Sequence, residues 1–136
     1  MLHILVIDDE PFVREALERV LKSTVVCVVG AANATAGLAL MEKSATDLVI
    51  IDVVLPGMDG VAAIKRIRRD HPNMRIIAIS GGGNFGLNSY QPEAISTNAY
   101  LAACKAAGAD RTLAKPFETA ELRALIDEVT SDQVTT

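Results

Sequence analysis

Five short apolar runs, rich in β-branched residues, recur along the chain: Leu2–Ile7, Val25–Val29, Leu48–Ile51, Arg75–Ile79 and Arg111–Ala114. Within them apolar residues follow one another without strict alternation, which marks strands covered on both faces. Between the runs lie stripes at helical spacing: Val13, Ala16, Leu17, Val20 and Leu21, then Val61, Ile64 and Ile67, then Leu122, Leu125, Ile126 and Val129. Two further segments, Ala34–Lys43 and Ala94–Ala107, are less periodic but rich in Ala, Leu and Met.

Strand and helix therefore alternate five times, which predicts an α/β fold: a doubly wound, five-stranded parallel sheet with helices on both faces and right-handed crossovers. Pro11 falls just inside the first helix and Gly108 just past the fourth, where each residue type is favoured. The segment Thr130–Thr136 reads as frayed, so the domain is expected over residues 1–130 with a short tail at 131–136. One connection is out of proportion. After the fourth strand runs GGGNFGLNSYQPEAIS, far beyond the usual 2–6 or so residues, and Gly81–Thr97 is read as a solvated loop.

Composition narrows the functional classes. A chain of 136 residues, 50% hydrophobic and 22% charged, is one globular domain with a single core. The net charge of −4 offers no footprint for nucleic acid, and the one basic cluster, Lys65, Arg66, Arg68 and Arg69 beside Asp70, is read as a solvated helix face. Acidic residues arrive by position 8, too early for a secretory signal, and no apolar run is long enough for a membrane span, so a cytoplasmic protein is expected. Cys27 and Cys104 lack paired spacing and read as reduced core residues, and His3 and His71 lack ligand-like spacing, so no transition-metal site is expected.

The strand ends carry the chemistry. In a doubly wound sheet, ligands bind beyond the carboxyl ends of the strands. Here those ends are Asp8-Asp9, Asp52, Ser80 and Lys115-Pro116, while the second strand ends in Gly30 and Ala31. Singly, Asp8 or Asp9 could cap a helix, Asp52 a turn, and Lys115 could be a surface charge. If the first and third strands are neighbours, however, three carboxylates converge and repel unless a cation sits among them. Mg²⁺ suits such a set, since it takes one or two carboxylates, keeps waters and accepts a phosphoryl oxygen. Ser80 adds a hydrogen-bond donor and Lys115 a positive charge.

Gly81–Gly86 also fits G-x-G-x-x-G, but it follows the fourth strand, not the first, and LNSYQP opens no helix, so a dinucleotide site is not expected.

Taken together, VIDDEP, DLVIIDVVLPGMDG, IIAIS and AKPF resemble the defining segments of the response-regulator receiver domain of two-component signalling, over Leu2 to about Val129. The resemblance implies a flavodoxin-like (βα)5 sheet in strand order 2-1-3-4-5 and a phosphoacceptor signalling domain, not a turnover enzyme. It makes Asp52 the phosphoacceptor, Asp9 a direct Mg²⁺ ligand, Asp8 a ligand through water, and the Val54 carbonyl a further ligand. It makes Ser80 the switch hydroxyl and Lys115 the phosphoryl-binding lysine, with a cis bond before Pro116. The phosphoryl donor would be a sensor histidine kinase or a histidine phosphotransfer protein, and the downstream target some other protein. Thr112 departs from the pattern, standing where many receivers place Tyr or Phe as a second switch residue. No further domain follows residue 130, so a stand-alone receiver is expected. The alternative is an aspartyl-phosphate hydrolase of the haloacid dehalogenase type, but Val54 stands where that family needs a second Asp as general acid.

Overall fold

Along each buried strand, successive side chains turn to opposite faces of the sheet, and the apolar residues divide accordingly. Leu5, Ile7, Val49, Ile51, Ile76 and Ala78 pack into one layer with Ala34, Met41, Ala63, Ile64, Ile67 and Cys104. Ile4, Val6, Leu48, Ile50, Ile77 and Ile79 pack into the other with Leu17, Leu21, Leu122, Ile126 and Val129. The computed structural model describes residues 1–53, 59–80 and 92–134. In these the strands are β1 (Leu2–Ile7), β2 (Val26–Ala31), β3 (Leu48–Asp52), β4 (Arg75–Ser80) and β5 (Arg111–Ala114). The helices are α1 (Pro11–Leu21), α2 (Ala34–Lys43), α3 (Gly60–Asp70), α4 (Pro92–Ala107) and α5 (Thr119–Val134).

All pairings are parallel and the order is β2-β1-β3-β4-β5, the flavodoxin-like arrangement expected. Between β1 and β3 the strand order reverses, so the carboxyl ends of these two central strands flank the crevice where such sheets bind ligands. All five residues of β3 are buried, whereas the edge strands β2 and β5 are only partly covered. Helices α1 and α5 cover one face, and α2, α3 and α4 the other.

Several boundaries move from the sequence expectation for local reasons. Strand β2 starts at Val26 because Val25 belongs to a turn, its amide donating to Ser23 Oγ at 3.1 Å, and it continues through Gly30 to Ala31. Helix α4 begins at Pro92, ahead of the expected Ala94, so Pro92–Thr97 is helical and not loop. Proline needs no intrahelical acceptor in a first turn, which lets it open the helix. Helix α5 passes through Thr130, where fraying was expected: the Thr130 hydroxyl donates to the Ile126 carbonyl at 2.7 Å and Val129 is buried beneath it. The rest of the expected loop, Gly81 to Gln91, lies outside the described residues, and with it the glycine motif.

The basic cluster on α3 splits in two. Lys65, Arg66 and Arg69 are exposed as expected, but Arg68 folds down beside the α4–β5 turn. It donates to the carbonyls of Pro72 (2.6 Å), Met74 (2.8 Å) and Gly108 (2.7 Å) and reaches Asp110 Oδ2 at 3.3 Å. Gly108 has φ +129°, a conformation open to glycine, and so ends α4 where the sequence places it. The cysteines are unpaired: Cys104 is fully buried, but Cys27, on the edge strand, is only half-buried.

Candidate functional site

Strand β1 delivers Asp8 and Asp9 just past its last residue, and β3 ends in Asp52 itself. Because β1 and β3 pair in parallel register, Ile7 opposite Ile51, both deliver acidic residues at the same level of the sheet. Carboxylate oxygens of Asp8, Asp9 and Asp52 lie within 4.8 Å of one another. Asp8 and Asp52 are buried and Asp9 is exposed, so the cluster has an inner wall and an open mouth.

Lys115, following β5, stretches across to this cluster. Its Nζ lies 3.5 Å from Asp52 Oδ2 and 3.5 Å from Asp8 Oδ2. The Lys115 amide donates to the Ser80 carbonyl at 2.8 Å, so the chain after β5 is stitched to the end of β4. A cis peptide joins Lys115 to Pro116, as the resemblance implied. Ser80 is buried at the last position of β4, which pairs with β3 through Ile79 opposite Asp52. Thr112, on β5, stands opposite Ala78 and is half-buried. Val54 lies outside the described residues.

The electrostatics favour a divalent cation. Three carboxylates and one ammonium leave two negative charges at one place, with two of the acids out of solvent. Buried like charges are costly unless compensated. The oxygen-only, hard donor set is of the kind Mg²⁺ takes, and the exposed side of Asp9 leaves room for the waters Mg²⁺ retains. The residues present therefore fit that ion.

Asp8 is held at four points. Its amide donates to the Ala31 carbonyl (3.1 Å), its Oδ1 accepts from the Glu10 amide (2.9 Å), its carbonyl accepts from Arg14 (2.8 Å), and its Oδ2 faces Lys115. It does not cap α1. The cap residue is Glu10, which makes no side-chain cap bond, and Pro11 follows.

Asp52 is positioned from behind. The Val53 amide donates to the Ile79 carbonyl at 2.9 Å, and the Val53 carbonyl accepts from the Gly60 amide at 2.9 Å. Asp59 caps α3 through its side chain, accepting from the Ala62 amide at 2.9 Å. Arg14, Asp59 and Gly60 were not singled out from sequence. D-G ahead of an apolar stripe is a readable helix start, but the pressure of Gly60 on β3 is a tertiary fact.

A family model for the response regulator receiver domain matches residues 4–127. This chain belongs to that family. It is 30% identical over 120 residues to sporulation initiation phosphotransferase F of Bacillus subtilis, covering 88% of this chain and 86% of that protein. A CheY-like receiver domain protein from Methanospirillum hungatei superposes with a TM-score of 0.81 at 25% identity, over 99% of this chain and 98% of that one. The response regulator TrrA of Thermotoga maritima, solved in complex with Mg²⁺ and BeF, gives a TM-score of 0.73 at 27% identity, over 95% and 99% of the two chains. Longer curated relatives also match, and of two of these the chain spans about a quarter of the length. The receiver is a phosphoacceptor signalling domain, and the acidic pocket of Asp8, Asp9 and Asp52 agrees with that role. Among the described residues, no helix is long and apolar enough to cross a membrane.

Proposed function

We propose that Asp52 accepts the phosphoryl group, from a phosphohistidine on a sensor kinase or a histidine phosphotransfer protein. The observation that carries this reading is the meeting of Asp8, Asp9 and Asp52 with Lys115 at one end of the sheet. A carboxylate oxygen of Asp52 attacks phosphorus, the bond from phosphorus to the imidazole nitrogen breaks, and the imidazole leaves with the bonding electrons. Asp9 and Asp52 would hold Mg²⁺ directly and Asp8 through water, with the Val54 carbonyl as a further ligand by family pattern. When bound, Mg²⁺ supplies positive charge for the equatorial oxygens of the transferring group.

Lys115 serves a second role at the same point. In the free protein its ammonium compensates Asp8 and Asp52 at 3.5 Å each, and on phosphorylation it can turn to the new phosphoryl oxygens. Ser80 is the switch hydroxyl: drawn toward the phosphoryl group, it biases two arrangements of α4 and β5, with Thr112 in the second switch position. The readout is a protein partner, since nothing in charge or composition suits nucleic acid.

Incubation with acetyl phosphate and Mg²⁺ should add one phosphoryl group, read by intact mass, and Asp52→Asn should add none. Full incorporation in that variant would overturn the assignment of the acceptor.

A further inference from the structure

The route of Arg14 bears on the metal-ligand turn. Its side chain leaves the second turn of α1, passes over the end of β2 and returns to the loop between β1 and α1, where it donates to the Asp8 carbonyl at 2.8 Å. The path runs close over residue 30: a Cβ there would stand 3.0 Å from Arg14 Cδ and 3.5 Å from Arg14 Cβ, so a side chain at that position would require Arg14 to shift. Glu10 makes no side-chain cap bond; its amide donates to Asp8 Oδ1, and Arg14 adds a second tie from α1 to the acidic turn.

We propose that Arg14, threaded over Gly30, is a positioning residue for the Mg²⁺ site, an inference that rests on the function assigned to Asp8, Asp9 and Asp52. The Asp8 carbonyl and the Asp9 amide share one rigid peptide plane. Fixing that carbonyl therefore fixes the plane from which the Asp9 Cα departs, leaving rotation about its N–Cα bond as the backbone freedom that aims the side chain. Asp9 is the exposed member of the cluster, without the burial that immobilises Asp8 and Asp52, so its aim depends most on its backbone.

Arg14→Ala alone is a poor test, because it also removes a positive charge near a cation site, and that loss favours Mg²⁺ while the lost tether disfavours it. Gly30→Val separates the two. It keeps the arginine and its charge, places two methyl groups in the path of the side chain, and puts a β-branched residue on an exposed edge-strand position that tolerates it.

Mg²⁺ affinity would be measured by calorimetric titration, with thermal unfolding in EDTA alongside. Gly30→Val should raise the dissociation constant about tenfold, at the low end for groups that orient metal ligands, with only a small fall in the unfolding temperature. In an Arg14→Ala background the same Gly30→Val change should leave the dissociation constant where it was. Unchanged affinity in Gly30→Val, or an equal loss with and without Arg14, would overturn the proposal. Asp9→Ala is the reference: if it leaves Mg²⁺ binding intact, the metal assignment itself fails and this inference with it, whereas a loss there beside an unaffected Gly30→Val overturns only the role of Arg14.

Discussion

Gly60 rests directly on the end of β3, so that a side chain there would bring its Cβ within 2.5 Å of Val53 Cα. The same Cβ would lie 2.9 Å from the Asp52 carbonyl oxygen. These are backbone atoms and cannot swing aside as a long side chain would. Gly60→Ala should therefore push apart the start of α3 and the residue proposed to accept phosphate. A stability loss of about 1–3 kcal/mol is expected from overpacking, together with slower phosphorylation by acetyl phosphate. Urea unfolding and a time course of incorporation check both, and a wild-type rate in a destabilised variant would separate packing from positioning.

Lys115 compensates two buried carboxylates, with side chains 5% and 8% exposed. Lys115→Ala removes that compensating charge. The apo protein should lose about 1–3 kcal/mol, below the range for a fully buried pair because the lysine is itself partly solvated. Mg²⁺ should then raise the unfolding temperature of the variant more than that of the wild type, since the ion supplies the missing charge. Equal increments would contradict the charge-balance reading. Phosphorylation of the variant should also be slower.

How much of this was legible beforehand follows from which links are local. Apolar runs without alternation gave five strands, and the chain order of acids, Ser80 and Lys115 at strand ends followed once a parallel sheet was inferred. The register that sets Ile7 opposite Ile51, and so groups Asp8 with Asp52, is a consequence of β1 and β3 being neighbours. That adjacency came from the family resemblance and not from the spacing. Arg68 was misread because helical periodicity shows only which face a residue occupies. An arginine at the margin of the apolar stripe has a long stem, and here its head turns inward to four acceptors. Gly30 and Gly60 were illegible for a related reason: a glycine closely approached by another element carries no local signal when its own φ is ordinary.

That inward turn makes Arg68 a clamp between the α3–β4 loop and the end of α4. Three of its bonds go to carbonyls of Pro72, Met74 and Gly108, and Asp110 Oδ2 also accepts the Ile76 amide at 2.8 Å. Removing the guanidinium takes this donor from the three carbonyls, two of them in partly buried bonds, while Asp110 Oδ2 keeps the Ile76 amide. Arg68→Ala should cost about 2–4 kcal/mol, summing charge-assisted bonds with an allowance for water replacing some. Arg68→Lys should recover little, because one ammonium cannot reproduce a planar fork spread over two loops. Chemical denaturation of the two variants decides it, and full recovery by lysine would show that charge alone matters.

Cys104 gives a pH dependence whose sign can be worked out. Its thiol, on α4, is fully buried against α3, and burial, with a smaller contribution from the Asp59 carboxylate, pushes its pKa from 9.0 up to about 11. Between those values the unfolded chain has released the proton while the folded chain keeps it. Folding stability is thus unaffected by this group below about pH 9 and falls as pH rises toward 11, by about 2–3 kcal/mol at the upper end. Lysines and tyrosines also titrate there, so the measurement is a difference. Cys104→Ala should be less stable than the wild type at pH 7 through lost packing, and the gap between the two should narrow steadily from pH 9 to 11. A constant gap across that window, measured by urea unfolding, would show that the thiol stays accessible to water in the folded protein. Alkylation offers an independent check: at pH 8 iodoacetamide should modify half-buried Cys27 well before Cys104.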